Sequence, residues 1–231
     1  MGFLSPASQL WDMSPAEARA LQQRLRGQVR VEPLPSDVRV VGGVDVSVEG
    51  GMARAAVVLL SFPALEPIEV ATAEMETAFP YVPGLLAFRE GPAALAALER
   101  LRATPDVLIF DAQGLAHPRR MGLATHIGVL LDHPSVGCAK SRLCGEHEEP
   151  PPERGGWVPL VEGEEVIGAA LRTQDHLRPL YVSVGHRADL ETALDLVLAC
   201  CLRYRLPEPT RWAHRVAGGE PFPTERQLAL F

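Results

Sequence analysis

The sequence predicts an α/β fold with one mixed central sheet flanked by helices, and three observations carry that expectation. Residues 38–48, 53–62 and 68–75 are β-like runs that follow one another closely, so they should pair as an antiparallel meander. Beyond residue 92 helical and strand patterns alternate, which is the mark of β-α-β units and parallel strands. Neither an internal repeat nor a shift in composition divides the chain, so one domain over 1–231 is expected.

Each element has a local reason. Ser14-Pro15-Ala16-Glu17 is a capping box with proline at the first helical position, and Leu21 and Leu25 share a face, so a helix occupies about 14–30. The Gly50-Gly51 pair turns the first strand into the second. A helix is expected from about Pro92 to Arg102, with Leu95, Leu98 and Leu101 on one side, followed by the apolar strand 106–110. A helix over 121–131, a strand at 135–139, strands near 157–161, 165–171 and 180–184, and a helix from Asp189 to about Arg205 complete the series. The stretch from about 146 to 165 is acidic, and its first half is rich in proline and glycine, so it reads as a surface loop running into a hairpin. From about Gly218 the chain reads as a poorly tied tail.

Composition narrows the function. No apolar run is long enough to span a bilayer, and the beginning MGFLSP has no signal-peptide core, so a cytoplasmic protein without a membrane partner, acting as a monomer, is expected. Cys138, Cys144, Cys200 and Cys201 lack the paired spacing of a zinc site and suit reduced thiols. The formal charge of -7 argues against a nucleic-acid partner at first sight. Its distribution changes that reading, because seven of the 29 acidic residues are glutamates between 146 and 165. The remaining surface is near neutral, and Arg119, Arg120, Lys140 and Arg142 cluster in sequence.

Asp45 lies inside a strand otherwise fit for burial, sharing a face with Gly43 and Ser47, while Gly42 and Gly43 leave room for a close approach to the backbone. Asp111 directly follows an apolar strand, the usual place for a functional residue in an open α/β sheet. Glu90 stands at the expected entrance to a helix. Two readings of these carboxylates stay open: structural ion pairs, or a convergent oxygen-ligand set for Mg²⁺ suited to phosphoryl chemistry. Segment 111–145 adds Gly114, Gly122 and Gly137, which would let backbone approach a ligand, and the cations named above, which would meet phosphates or solvent. Lys140 is the single lysine among 22 basic residues, which points to a need for a compact ammonium. Tyr81 sits between Pro80 and Pro83 on a stiff loop, as a wedge or as loop packing. His117 is the histidine best placed for a polar role at the site, whereas His126 reads as a helix-face residue and His133 as a turn residue.

The stretches VGGVDVSV (41–48), FPYVPGLLAFREGP (79–92), DAQGLAHPRRMGLATHIGVLL (111–131), VGCAKSRLCG (136–145) and PEPTRWAH (207–214) together resemble the endonuclease V family. That resemblance implies a ribonuclease H-like fold with Asp45, Glu90 and Asp111 as catalytic carboxylates holding Mg²⁺, for which Mn²⁺ is a substitute. It further implies catalytic roles for Lys140 and His214, a strand-separating wedge at Pro80, Tyr81, Val82 and Pro83, and a lesion pocket around Gly84, Leu86 and Gly122. His117, Arg119 and Ser141 are further candidates. The implied activity is DNA repair: recognition of deoxyinosine and related deaminated bases, and hydrolysis of the second phosphodiester bond on the 3′ side, leaving 3′-hydroxyl and 5′-phosphate ends. The alternatives are an inosine-specific nuclease of single-stranded RNA and a non-catalytic binder of damaged or branched DNA. One departure is Ala112, where the family's Asp-Gly-x-Gly pattern has glycine, and its methyl is expected to tighten the site.

Overall fold

A computed structural model of the chain describes residues 11–222. Helix α1 (Pro15–Arg26) precedes a meander of β1 (Val40–Glu49), β2 (Met52–Ser61) and β3 (Pro67–Glu76). Then come α2 (Leu86–Leu98), β4 (Val107–Phe110), α3 (Leu123–Leu131) and β5 (Ser135–Ala139). The chain continues through β6 (Trp157–Glu162), β7 (Glu165–Leu171), β8 (Leu180–His186), α4 (Leu190–Ala199) and α5 (Glu208–Ala217). All eight strands form one sheet in the order β3-β2-β1-β4-β5-β8-β7-β6. It is mixed, as expected, with the parallel pairing confined to β1-β4-β5; β8, β7 and β6 return to antiparallel pairing.

Alternation along the strands gives the sheet two apolar faces. Val41, Val107 and Ile109 face α4 and α5, whereas Val44, Leu108 and Phe110 face α2 and α3. The register of the parallel pair, Val44 opposite Phe110, carries Asp45 and Asp111 forward together to the same sheet edge. Helix α1 lies outside this layer and buries Ala18, Leu21 and Leu25 with Phe79, Leu85, Phe88 and Met121.

Five expectations change. Helix α2 begins at Leu86, with Pro92 inside it, because burial of Ala87, Phe88 and Leu95 outweighs the one helical hydrogen bond that a proline forfeits. Glu90 is therefore within the helix. Helix α4 stops at Ala199, where Arg154 donates to the Leu198 and Cys201 carbonyls and turns the chain away. Residues 208–217, read without a helix, form α5, whose buried side is Glu208, Pro209, Thr210, Ala213, Val216 and Ala217. Arg120 is buried, clamped by Glu162 and Glu165 of the expected hairpin, and is thereby withdrawn from both phosphates and solvent. Residues 218–222 fold back onto α5, where Phe222 meets Trp212 and Arg215 bonds Glu220; the remainder of the expected tail lies outside the described residues. Among the described residues no helix is long and apolar enough to cross a membrane.

The room left by Gly43 is filled by α5. A Cβ at position 43 would stand 2.0 Å from the Pro209 carbonyl carbon and 2.5 Å from the Thr210 nitrogen. Gly43→Ala should consequently displace α5 and lower stability by about 3 kcal/mol, read in urea titration. A wild-type midpoint would contradict the contact.

Candidate active site

Asp45 and Asp111 arrive side by side because β1 and β4 are parallel and in register, an alignment continued by the Asp111 N–H, which donates to the Val44 carbonyl at 2.9 Å. Helix α5 then lays His214 against them. Its Nδ1 is 2.7 Å from Asp45 Oδ2 and 4.0 Å from Asp111 Oδ2. Lys140, just beyond β5, puts Nζ 2.5 Å from Asp111 Oδ2 and 3.2 Å from His214 Nδ1. The ring nitrogen has one site for two partners: it donates to Asp45 or accepts from Lys140.

One ligand atom each from Asp45, Asp111 and His214 lies within 4.8 Å of the others, the only such group of three among the described residues. Two hard carboxylate donors and an imidazole suit a divalent cation, and the electrostatics agree. Burial and the Asp45 charge raise the Asp111 pKa, against the opposing pull of Lys140 and His214. A cation between the carboxylates would relieve that repulsion. Glu90 comes from α2, on the other side of the sheet, and is outside the three-residue group. Burial foremost, then the charges of Asp45 and Asp111, push its pKa up to about 8.

Beside the carboxylates is a pocket of about 130 Å³. One wall is Tyr81, Val82, Pro83, Gly84 and Leu86; the other includes Ala112, Gln113, Met121, Gly122 and Leu123. Tyr81 is 71% exposed on a loop that is otherwise fastened down. Phe79 is buried against Phe88, Arg89 donates to the Phe79 carbonyl, and the Leu85 N–H donates to the Val82 carbonyl. Pro80 and Pro83 are exposed beside Tyr81, and Val82 is half-buried.

His117 is buried away from the carboxylates. Its Nε2 donates to the Gly84 carbonyl at 3.0 Å, and its Nδ1 accepts from the Arg119 and Met121 N–H groups. Burial, and then the charge of Arg119, push its pKa down to about 4, so it is neutral and holds the pocket rim. Arg119 bonds the same carbonyl, and the Ser141 carbonyl accepts from the Gln113 amide at 2.8 Å. Ala112 lines the pocket with ordinary backbone, so its methyl carries no left-handed strain. Gly114, Gly122 and Gly137 serve backbone packing: a Cβ on any of them would come within 2.3 Å of main-chain atoms. His126 is buried between Trp11 and Phe88. Sequence reasoning missed Gln22, a fully buried amide of α1 that bonds both pocket walls.

Glu90 gives a signed test. Without metal it keeps its proton up to about pH 8, whereas a carboxylate with the ordinary value loses it near 4.5. Between those values the native state holds the extra proton, so stability falls as pH rises and levels off above the native pKa. Glu90→Gln should remove this dependence. In chelator, the variant's Tm should exceed that of the parent by a margin that widens from about pH 5 to about pH 8. A constant margin would refute the burial of this charge.

The family model described as Endonuclease V matches residues 23–215. An Endonuclease V of Roseiflexus sp. (strain RS-1) is 56% identical over 90% of this chain and 94% of its own. The crystal structure of the Endonuclease V from Streptomyces avermitilis superposes with a TM-score of 0.88 at 44% identity, covering 95% of this chain and 97% of that one. An Endonuclease V from Ciona intestinalis, crystallised with a 24mer DNA containing an inosine followed by a ribo-adenosine, matches with a TM-score of 0.76 at 29% identity over 88% and 96% of the two chains. With its ribonuclease H-like sheet, its paired aspartates and this agreement over nearly its whole length, the chain belongs to the endonuclease V family.

Proposed function

We propose that this endonuclease is a Mg²⁺-dependent DNA repair enzyme that takes deoxyinosine, or another deaminated purine, into the pocket and hydrolyses the second phosphodiester bond on its 3′ side. The observation that carries this reading is the shared wall: Ala112 and Gln113 line the pocket and directly follow Asp111 in the chain. Base and scissile phosphate would then occupy neighbouring sites, and the cut would fall beside the lesion while the base stays attached to its sugar.

Asp45 and Asp111 would hold the cation, with His214 and Glu90 adjacent. Mg²⁺, or Mn²⁺ in its place, would supply charge neutralisation at the phosphate and lower the pKa of an attacking water. Lys140 pairs with Asp111, fixing that carboxylate and presenting a compact positive charge beside the reacting phosphate. Tyr81, exposed on its anchored loop, would enter the base stack and fill the gap left by the extruded nucleotide. Hypoxanthine pairs weakly, so extruding it costs less than extruding a normal base, which supplies part of the selectivity. The hydrolysis leaves 3′-hydroxyl and 5′-phosphate ends.

On an inosine-containing duplex in Mg²⁺, Asp45→Ala and Asp111→Ala should each slow nicking at least about a hundredfold, a loss of several kcal/mol of transition-state stabilisation. Wild-type rates in either variant would remove the metal assignment. Tyr81→Ala should raise KM about tenfold, the worth of one base–aromatic stack, with a smaller effect on kcat. Inosine in single-stranded RNA is the competing substrate. A wedge is useful only where a stack must be held open, so matched oligonucleotides should show the DNA duplex cut faster; faster RNA cleavage would overturn the choice of DNA.

A further inference from the structure

We infer that Gln22 of α1 is a positioning residue that sets the width of the base pocket, making the N-terminal helix part of lesion recognition. The inference rests on the reading that this pocket receives the base.

Gln22 sits on the buried face of α1 among Ala18, Leu21 and Leu25, and is 0% exposed. An amide in such surroundings is costly unless its hydrogen-bonding groups are engaged. Its Nε2 donates to the Gly84 carbonyl at 3.1 Å and to the Met121 carbonyl at 3.0 Å, while Oε1 accepts from Arg119 Nε at 2.5 Å. Both amide protons are used, and they reach opposite sides of the pocket: Gly84 belongs to the Tyr81–Leu86 wall and Met121 to the Met121–Leu123 wall.

The two walls are far apart in sequence and have no shared strand. Among the described residues, the side chains bonded to the Gly84 carbonyl are those of Gln22, His117 and Arg119. Position 84 has φ +76°, a left-handed conformation that glycine adopts without strain. His117 and Arg119 both come from the loop that leads into the second wall, so their reach depends on that loop. Gln22 alone approaches from a separate helix, and it also holds Arg119 in place. It is thus a crossbar between the walls, set beside His117, which meets the same Gly84 carbonyl and the Met121 N–H from within the second wall's own loop, and a base admitted between the walls meets a gap that this amide braces from a separate helix.

The test compares kcat/KM for duplexes carrying deoxyinosine and deoxyxanthosine, the latter having an additional oxygen at C2. The ratio is taken on one preparation, so it is independent of the active fraction. Gln22→Leu removes all three bonds; Gln22→Glu keeps the acceptor for Arg119 and removes both donors. Leu25→Ala, on the same buried face but outside the pocket, is the control for lost stability. A crossbar predicts that the inosine-to-xanthosine ratio falls about fivefold or more in both Gln22 variants, as the loosened pocket tolerates the larger base, while Leu25→Ala lowers Tm and leaves the ratio unchanged. If Gln22→Leu does not fold, Gln22→Glu decides. A ratio within about twofold of the parent in the folded Gln22 variants would overturn the inference and reduce Gln22 to a packing residue. A parent protein that prefers neither lesion to adenine would overturn the pocket reading itself, and the crossbar with it.

Discussion

The meeting of His214 with Asp45 depends on one close approach, that of α5 to β1 at Gly43. The Pro209 carbonyl occupies the space where any other residue would carry its Cβ. Two residues along β1, about 6.6 Å on, stands Asp45, and one helical turn along α5 from Thr210, about 6 Å on, stands His214. The near match of these repeats brings imidazole and carboxylate within hydrogen-bond reach once the backbone contact is made. Parallel pairing of β1 with β4 then supplies Asp111, and the loop after β5 supplies Lys140. One packing constraint and two parallel registers, β1–β4 and β4–β5, therefore bring together four side chains from four separate segments.

Charge is partitioned to match. Lys140 pairs directly with Asp111 and the His214 ring lies against Asp45, while Glu90, in the helix across the sheet, carries a proton near neutral pH. Elsewhere acidic and basic residues cancel locally: Glu162 and Glu165 hold Arg120, and Glu149 holds Arg172. The net charge of -7 consequently says little about the surface beside the site, where Arg142 and Tyr81 are exposed. The pocket rim is fixed by neutral or internally satisfied groups, His117 above all, so its geometry does not depend on the charge state of the carboxylates.

Much of this was legible in the sequence because the relevant residues violate their local pattern. A carboxylate inside an apolar strand and another at the end of one stand out, as does one lysine among arginines. The strands are legible as short β-like or apolar runs bounded by turn residues. Helix α5 is not, because its buried stripe of Pro209, Thr210, Ala213, Val216 and Ala217 is made of small side chains and opens next to Pro207, so it reads as a loop. The start of α2 was misjudged because proline was taken as a first-turn residue, whereas burial of Ala87 and Phe88 carries the helix back past it. Glutamine on an amphipathic helix looks like surface, so Gln22 was invisible until its partners, 62 and 99 positions away, were brought to it. Gly114, Gly122 and Gly137 read as room for a ligand, and each also leaves room for neighbouring backbone, Gly122 while lining the pocket.

In the proposed function, base recognition and bond cleavage occupy two adjoining sites joined by the segment after Asp111. Mapping the nick on an end-labelled duplex with one deoxyinosine, in Mg²⁺, tests it most directly. The account predicts a single cut at the second phosphodiester 3′ to the lesion, with 3′-hydroxyl and 5′-phosphate ends and the inosine intact in the product. A cut on the 5′ side, release of the free base, or equal nicking of an undamaged duplex would contradict it.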